Sequence, residues 1–283
     1  MRKEDGHMKS DKSHPDYFFG NTEAEHERLI RQANQLAPVT ERFFREAGIG
    51  SGQRVLELGS GVGDVAMLVA GIVGPSGEVV AIERDPRAIS RARGRAAEAG
   101  LHNIEFVQAD IAEYSTDASF DSAVGRCILQ FLPDPVVALR SVAKQVRPDG
   151  IVAFQEVSFA PCVALSAHLR LWSVAVSLVR EAGIRSGVNM EMGPALHNAF
   201  QEAGLPAPRM RLEMELRRDP DFTRWVSDLL RSVLPQIQKL NLSHEALGDF
   251  DTLQERLQDE VAISNTVVPW VGLVGAWCRK SVD

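Results

Sequence analysis

Val55-Leu-Glu-Leu-Gly-Ser-Gly-Val-Gly-Asp64 is the stretch that decides the fold. Val55, Leu56 and Leu58 read as a buried strand. Gly59, Gly61 and Gly63 form the turn that leaves it, and the apolar run from Val65 through Val73 forms the helix that follows. Glycine lacks a Cβ and takes positive φ without strain, so such a loop lets backbone approach a ligand closely and lets the helix pack against the strand. A strand, glycine loop and helix in this order open a doubly wound α/β sheet, where ligands bind beyond the carboxyl ends of the strands.

Two classes of nucleoside ligand use loops of this kind. A dinucleotide fingerprint places glycines at the first, third and sixth loop positions and rests the pyrophosphate on the helix N-terminus. Here the first and third positions are Gly59 and Gly61, but the sixth is Asp64. A carboxylate there occupies the partial positive charge that a pyrophosphate requires and repels it. Glycines at alternate positions preceded by Glu57 instead resemble motif I of the class I S-adenosylmethionine-dependent methyltransferases. That cofactor has no phosphate, and its sulfonium and ammonium groups tolerate nearby carboxylates.

The segments that follow fit the same reading. Gly77-Glu-Val-Val-Ala-Ile-Glu-Arg-Asp85 is a second buried strand ending in acids, a little over ~20 residues past the loop, where a ribose-binding acid is expected. Glu83 is the candidate, since two acceptor oxygens match two hydroxyl donors. Asp85-Pro86 reads as a helix cap with proline in the first turn, and Asp134-Pro135 and Asp219-Pro220 repeat the device. Ile104–Ile111 is a third strand, where the resemblance implies that Asp110 and Ile111 meet the adenine. The fourth, Phe120–Arg126, leads into Cys127-Ile-Leu-Gln-Phe-Leu-Pro-Asp134, and the fifth, Gly150–Glu156, follows a turn at Pro148. Ser60 in the loop, Arg84 beside Glu83 and the backbone of Arg126 complete the cofactor set that the resemblance implies. It covers roughly residues 39 to 157 by motif and the C-terminal third by topology alone. The implied fold is a Rossmann-like, doubly wound seven-stranded sheet whose last strand runs antiparallel.

Composition is compatible with this. At 283 residues and 45% hydrophobic content the chain can bury a sizeable core as one α/β domain with insertions. Its net charge of −7 disfavours nucleic-acid phosphates as partners. Cys127, Cys162 and Cys278 are scattered and odd in number, which suggests reduced thiols of a cytoplasmic protein and no metal site. No stretch is apolar for long enough to span a bilayer. Residues 1–14 read as a disordered tail too polar for a signal peptide.

Three additions have room to build an acceptor pocket. Residues 15–48 read as an N-terminal helical cap in which Pro38 restarts a second helix, with Tyr17 as a candidate to close over the cofactor. An insertion at about 160–193 contains a helix over Ala164–Ala182, whose Leu165, His168, Trp172, Val176 and Val179 share a face. The loop after it carries Met190 and Met192, an adaptable wall. Residues 210–216 alternate as a strand with one wet face, and the last strand is expected over Val267–Cys278. Between them, at about 220–264, lie two amphipathic helices, one on Phe222, Trp225, Val226, Leu229 and Val233, the other on Leu253, Leu257 and Val261. They read equally as a cap on the sheet, a lid, or a lid that also contributes to a homodimer.

Methyl transfer asks chiefly for alignment and exclusion of water. A base is needed when the acceptor is a hydroxyl, an acidic carbon or a protonated amine. Glu156 at the end of the fifth strand and His168 are the candidate catalytic residues. The fourth strand is followed by Gly-Arg-Cys-Ile-Leu-Gln rather than the Asn/Asp-Pro-Pro-Tyr/Phe of amino-directed nucleic-acid and protein-glutamine enzymes. The chain is most similar to bacterial methyltransferases of the ubiquinone/menaquinone-biosynthesis type and their secondary-metabolite relatives. The resemblance implies O- or N-methylation of a small, partly apolar metabolite, with C-methylation as an alternative. A non-catalytic cofactor-binding subunit and a nicotinamide oxidoreductase are readings from other classes.

Overall fold

Each of the three Asp-Pro pairs opens a helix in the computed structural model, which describes residues 18–20, 22–111, 113–116 and 119–282. Asp85 accepts the backbone N–H of Arg87, Asp134 that of Val137 and Asp219 that of Phe222, starting α3 (Pro86–Glu98), α4 (Pro135–Gln145) and α8 (Pro220–Lys239). A side-chain oxygen at the cap satisfies one donor that the first turn leaves without an intrahelical acceptor.

The expected strands are present. Chain order gives β1 (Arg54–Leu58), β2 (Glu78–Glu83), β3 (Ile104–Gln108), β4 (Phe120–Arg126), β5 (Val146–Ser158), β6 (Arg209–Glu213) and β9 (Gly272–Arg279). They form one seven-stranded sheet in the order β3-β2-β1-β4-β5-β9-β6. β1 to β5 pair in parallel, whereas β9 is antiparallel to both β5 and β6. Helix α2 (Asp64–Val73) follows the glycine loop. Strand order reverses at β1, which lies between β2 and β4, so the crevice expected of a doubly wound sheet opens above the carboxyl end of β1.

Packing divides the core. Phe44, Val55, Val69, Val79, Val124 and Ala153 fill one face of the sheet. Leu56, Leu58, Ile82, Phe120, Phe154 and Phe200 fill the other, with α7 (Met192–Glu202) over β5 and β9. A third cluster joins α6 (Arg170–Arg185), α8 and α9 (Leu253–Ile263) through Trp172, Val176, Phe222, Trp225, Leu253, Leu257 and Val261. It sits beyond the strand tips and roofs the crevice.

Tertiary contacts override local pattern at three places. Helix α1 runs unbroken over Glu23–Ala47 with Pro38 inside, where two helices were expected. Burial of Leu36, Val39, Phe43 and Phe44 outweighs the one backbone hydrogen bond that proline removes. The helix expected over 164–182 is two, α5 (Ala160–Ser166) and α6. Glu260 of α9 accepts the N–H groups of Leu171 (2.7 Å) and Trp172 (2.8 Å), a remote cap that sets the start of α6. The alternating strand at 210–216 ends at Glu213; β7 (Leu216–Arg217) leaves to pair with β8 (Val268–Pro269) in a separate ribbon.

Among the described residues no helix is long and apolar enough to cross a membrane. The tail expected at residues 1–14, and Tyr17, lie outside the described residues.

Candidate cofactor and acceptor site

The strand tips and the roof enclose a cavity of about 240 Å³. Its floor comes from the carboxyl ends of the strands and the residues that follow them: Glu57, Gly59, Ser60 and Gly61 at β1, Glu83, Arg84 and Asp85 at β2, Ala109, Asp110 and Ile111 at β3, and Arg126 and Cys127 at β4. Every cofactor-binding candidate named from the sequence, Tyr17 apart, lines this one space.

The loop is held from several sides. Ser60 N–H donates to the Ile82 carbonyl (3.0 Å), and Gly63 N–H donates to the Ser60 carbonyl (2.8 Å). The Glu83 carboxylate ties β2 to the loop, accepting from Gly61 N–H (2.9 Å), Arg84 N–H (2.8 Å) and Asp85 N–H (3.0 Å). A carboxylate offers about four acceptor sites, so three N–H groups leave capacity on Glu83. Gly59 has φ +68°, and a Cβ there would lie 2.5 Å from Ile128. Gly61 has φ +51°, but a Cβ there would meet no atom within 4 Å. The first glycine is therefore fixed by packing and backbone; the second faces open space.

Charge on the floor is mainly negative. Five acids (Glu57, Asp64, Glu83, Asp85 and Asp110) line the cavity against three arginines (Arg28, Arg84 and Arg126). Asp64 stands at the first turn of α2 and is paired with Arg95 at 2.7 Å, so the helix N-terminus already has its anion. Glu57 is 1% exposed and its Oε2 has no hydrogen-bond partner. Burial pushes its carboxyl up to about 8, against the nearby Arg126 guanidinium, and Asp64 and Glu83 add to the rise. Ser60 Oγ is also buried without a partner. Buried polar atoms left unsatisfied are costly, and a ligand that bonds to them recovers that cost. The free atoms are acceptors or hydroxyl beside acids, a set suited to a cationic amino-acid group with vicinal hydroxyls and poorly suited to a pyrophosphate. S-adenosylmethionine fits this donor set.

The upper part is apolar. Leu29 and Leu36 of α1, Phe131, Val157, Phe159, Val188, Met190, Trp225, Leu229, Trp270, Val271 and Leu273 line it. Trp225 and Trp270 stack at 5.0 Å between centroids, tilted by 41°. Phe19, beside Phe131 at 6.0 Å, and Gly20 flank the cavity near α1.

Two catalytic candidates, Glu156 and His168, lie outside the cavity lining. Glu156 is fully buried and does not line the cavity. Its Oε1 accepts from Ile128 and Leu129 N–H, both at 2.9 Å, and its Oε2 from Gln130 N–H at 3.4 Å, capping the 3-10 turn Leu129–Phe131. Burial raises its carboxyl to about 7, with those three N–H groups opposing the rise. It caps the turn after β4 from outside the cavity lining. His168 is exposed in the turn between α5 and α6, with Nε2 3.4 Å from Thr266 Oγ1, and it does not line the cavity either. Met192, expected in the pocket wall, is instead part of the core under α7, whereas Met190 is in the wall.

Several cavity residues escaped the sequence reading. His26 on α1 is 7% exposed and is the imidazole that lines the cavity among the described residues. Arg28 is buried in a bidentate pair with Glu25 (2.8 and 2.7 Å), which also accepts from Ser232 of α8 at 2.6 Å. Nothing in the helical periodicity of α1 distinguishes these from surface charges. Arg126 turns its side chain toward α1, donating to Thr40 Oγ1 at 3.0 Å. Cys127 holds a left-handed backbone, φ 53°, and burial pushes its thiol up to about 12, with Glu156 adding to the rise.

Residues 49–204, more than half of the chain, match the family described as "Methyltransferase domain". An arsenite methyltransferase of Halobacterium salinarum is 31% identical over 141 residues, covering 46% of this chain and 36% of that protein. A demethylmenaquinone methyltransferase of Staphylococcus aureus is 28% identical over 153 residues, covering 53% of this chain and 63% of that protein. The match therefore spans less than two thirds of either relative. Among solved structures, a Haemonchus contortus phosphoethanolamine N-methyltransferase has the same fold, with a TM-score of 0.52 at 16% identity over 88% of this chain and 52% of that one. With its strand order, its glycine loop and this match, the chain belongs to the S-adenosylmethionine-dependent, Rossmann-like methyltransferase family.

Proposed function

We propose that the chain binds S-adenosylmethionine on the strand tips and transfers its methyl group to an oxygen or nitrogen of a small, partly apolar metabolite held under the helical roof. One observation carries this reading: the acid-lined floor and the apolar chamber are two ends of the same cavity. Glu83 would hold the ribose, Asp110 and Ile111 the adenine, and Glu57, Ser60 and the Gly59–Gly61 backbone the amino-acid end. The bound cofactor supplies a methyl group on a positively charged sulfur. The chamber's side chains, Trp225, Trp270, Met190, Phe159 and Val271, exclude water and set the acceptor's approach, which is where most of the acceleration in such a displacement arises.

Among the described residues the acids of the cavity stand on its floor and none lines the apolar chamber, while Glu156 lies outside the lining and accepts from backbone donors. This supports acceptors whose lone pair is already available, a neutral amine or an acidic hydroxyl, over acidic carbon. His26 is the described side chain best placed to accept a proton at the cavity. The relative named arsenite methyltransferase raises a metalloid acceptor. Soft thiolate ligation would be expected for one, but Cys127 is the cysteine that lines the cavity, and among the described residues no His, Cys, Asp or Glu cluster of three or more is arranged to hold a metal ion.

The test is release of S-adenosylhomocysteine from S-adenosylmethionine in the presence of a fractionated metabolite extract, with the product identified by its gain of one methylene mass. Cofactor binding without any product across amine, phenol and carboxylic-acid fractions would overturn the transferase reading. Tight binding of NADH and none of S-adenosylmethionine would overturn the cofactor assignment.

A further inference from the structure

β6 is the terminal strand of the sheet and, among the described residues, pairs on one side only, with β9. Among the described residues its outer edge has no strand partner for its backbone donors and acceptors. Edge strands are ordinarily blunted by charged side chains, lysine above all, or by proline, a bulge or a covering loop, and here the charges are of both signs instead of one. The stretch Arg209-Met-Arg-Leu-Glu-Met-Glu-Leu-Arg217 contains no proline, lysine or glycine. Met210 is 36% and Leu212 53% exposed. They pair with Ala276 and Val274, and Val274 packs under α7, so Met210 and Leu212 extend the α7 face of the sheet out into solvent.

The charges of this strand are complementary to their own reversal. In an antiparallel pairing of two copies centred on Leu212, Leu212 meets the partner's Leu212 and Arg211 meets the partner's Glu213, all within β6. The apolar residue on the axis then faces an apolar one and each Arg211 a glutamate, on the same faces of the sheet as in the single chain. Shifting the register by two residues, to a centre at Arg211 or Glu213, sets Arg211 against the partner's Arg211 or Glu213 against the partner's Glu213 on the axis. Arg211 already pairs with Glu46, and Glu213 with Arg42, both on α1. The partner's Glu213 would therefore extend an alternating row running from Glu46 through Arg211 to the partner's Arg42.

We infer that the β6 edge is the interface of a two-fold symmetric homodimer, in which β6 pairs with its copy about Leu212 to make one continuous fourteen-stranded sheet. A two-fold axis makes such a contact self-complementary and closed. The cavity opens at the strand tips, away from this edge, so the inference does not rest on the proposed chemistry.

Light scattering on the full chain during size exclusion tests it, with twice 31.1 kDa expected at micromolar concentration. Leu212→Arg sets two like charges on the axis and should give a monomer with an unchanged melting temperature, since Leu212 is half exposed. Arg211→Glu should raise the dimer dissociation constant by at least about tenfold, and Arg211→Glu with Glu213→Arg should restore it. Leu212→Cys should cross-link the two copies at that position under mild oxidation, located by mass spectrometry. A wild-type monomer at high micromolar concentration, or a dimer indifferent to Leu212→Arg and without the Leu212→Cys cross-link, would overturn the inference.

Discussion

The floor of the cavity and its roof use opposite physics. The floor is built from backbone and acids at the ends of parallel strands, and it keeps polar atoms buried without partners, Glu57 Oε2 and Ser60 Oγ among them. The roof is built from aromatic and aliphatic side chains of α6, α8 and the segment before β9, with Trp225 and Trp270 in contact. The floor gives up stability by keeping those atoms unsatisfied, whereas the roof is itself part of the hydrophobic core. Substitutions in the floor should therefore act on binding, and substitutions in the roof on folding as well as on acceptor use.

The largest effect should come from the roof. Trp225→Ala, at a side chain 4% exposed, should cost ~3–5 kcal/mol of stability, as removal of large core aromatics does. Denaturant unfolding measures it; a loss confined to cofactor affinity would break the contrast between the two regions. Glu156→Ala should come next, at about 3 kcal/mol, because the N–H groups of Ile128, Leu129 and Gln130 lose their acceptor. An unchanged melting temperature with lost turnover would return Glu156 to the catalytic role.

Glu83→Ala should weaken S-adenosylmethionine binding by ~1–3 kcal/mol in calorimetry while moving stability less than Trp225→Ala does. Glu57 predicts a pH dependence. Its carboxyl rises from 4.5 in the ordinary state to about 8 in the folded one. Across that window the folded chain keeps a proton that the unfolded chain has released, so stability of the free protein falls as pH rises and levels off above it. A cationic ligand favours the ionised form and expels the proton, so affinity should climb with pH by up to about tenfold per unit until about 8. Calorimetry in buffers of different ionisation enthalpy would detect the released proton, and Glu57→Gln should flatten both trends. The smallest effect belongs to His168→Ala, exposed in its turn, where stability should stay within about 0.5 kcal/mol and turnover should not change.

The same contrast explains what could be read before folding. Gly59, Ser60, Gly61, Glu83, Arg84, Asp110, Ile111 and Arg126 were legible because each stands at a strand end, and a parallel sheet brings successive strand ends together whatever the helices do. Glu156 stands at a strand end as well, yet its carboxylate serves three backbone donors in a neighbouring loop. His168 fits the apolar face of a helix that the remote cap by Glu260 brings to its start only at Arg170. His26 and Arg28 look like ordinary helix-surface residues until α8 and α3 close around α1, through Ser232 to Glu25 and Arg91 to Glu27.

Local sequence by itself determined the sheet, the turn chemistry and the polar floor, since period, glycine positions and Asp-Pro caps are properties of neighbouring residues. Tertiary structure alone decided the roof, the places of His26, Glu156 and His168, and the exposed edge of β6. Those features depend on which side chains, from Phe19 to Leu273, meet across the fold, and burial and pairing at long range have no signature in any one segment.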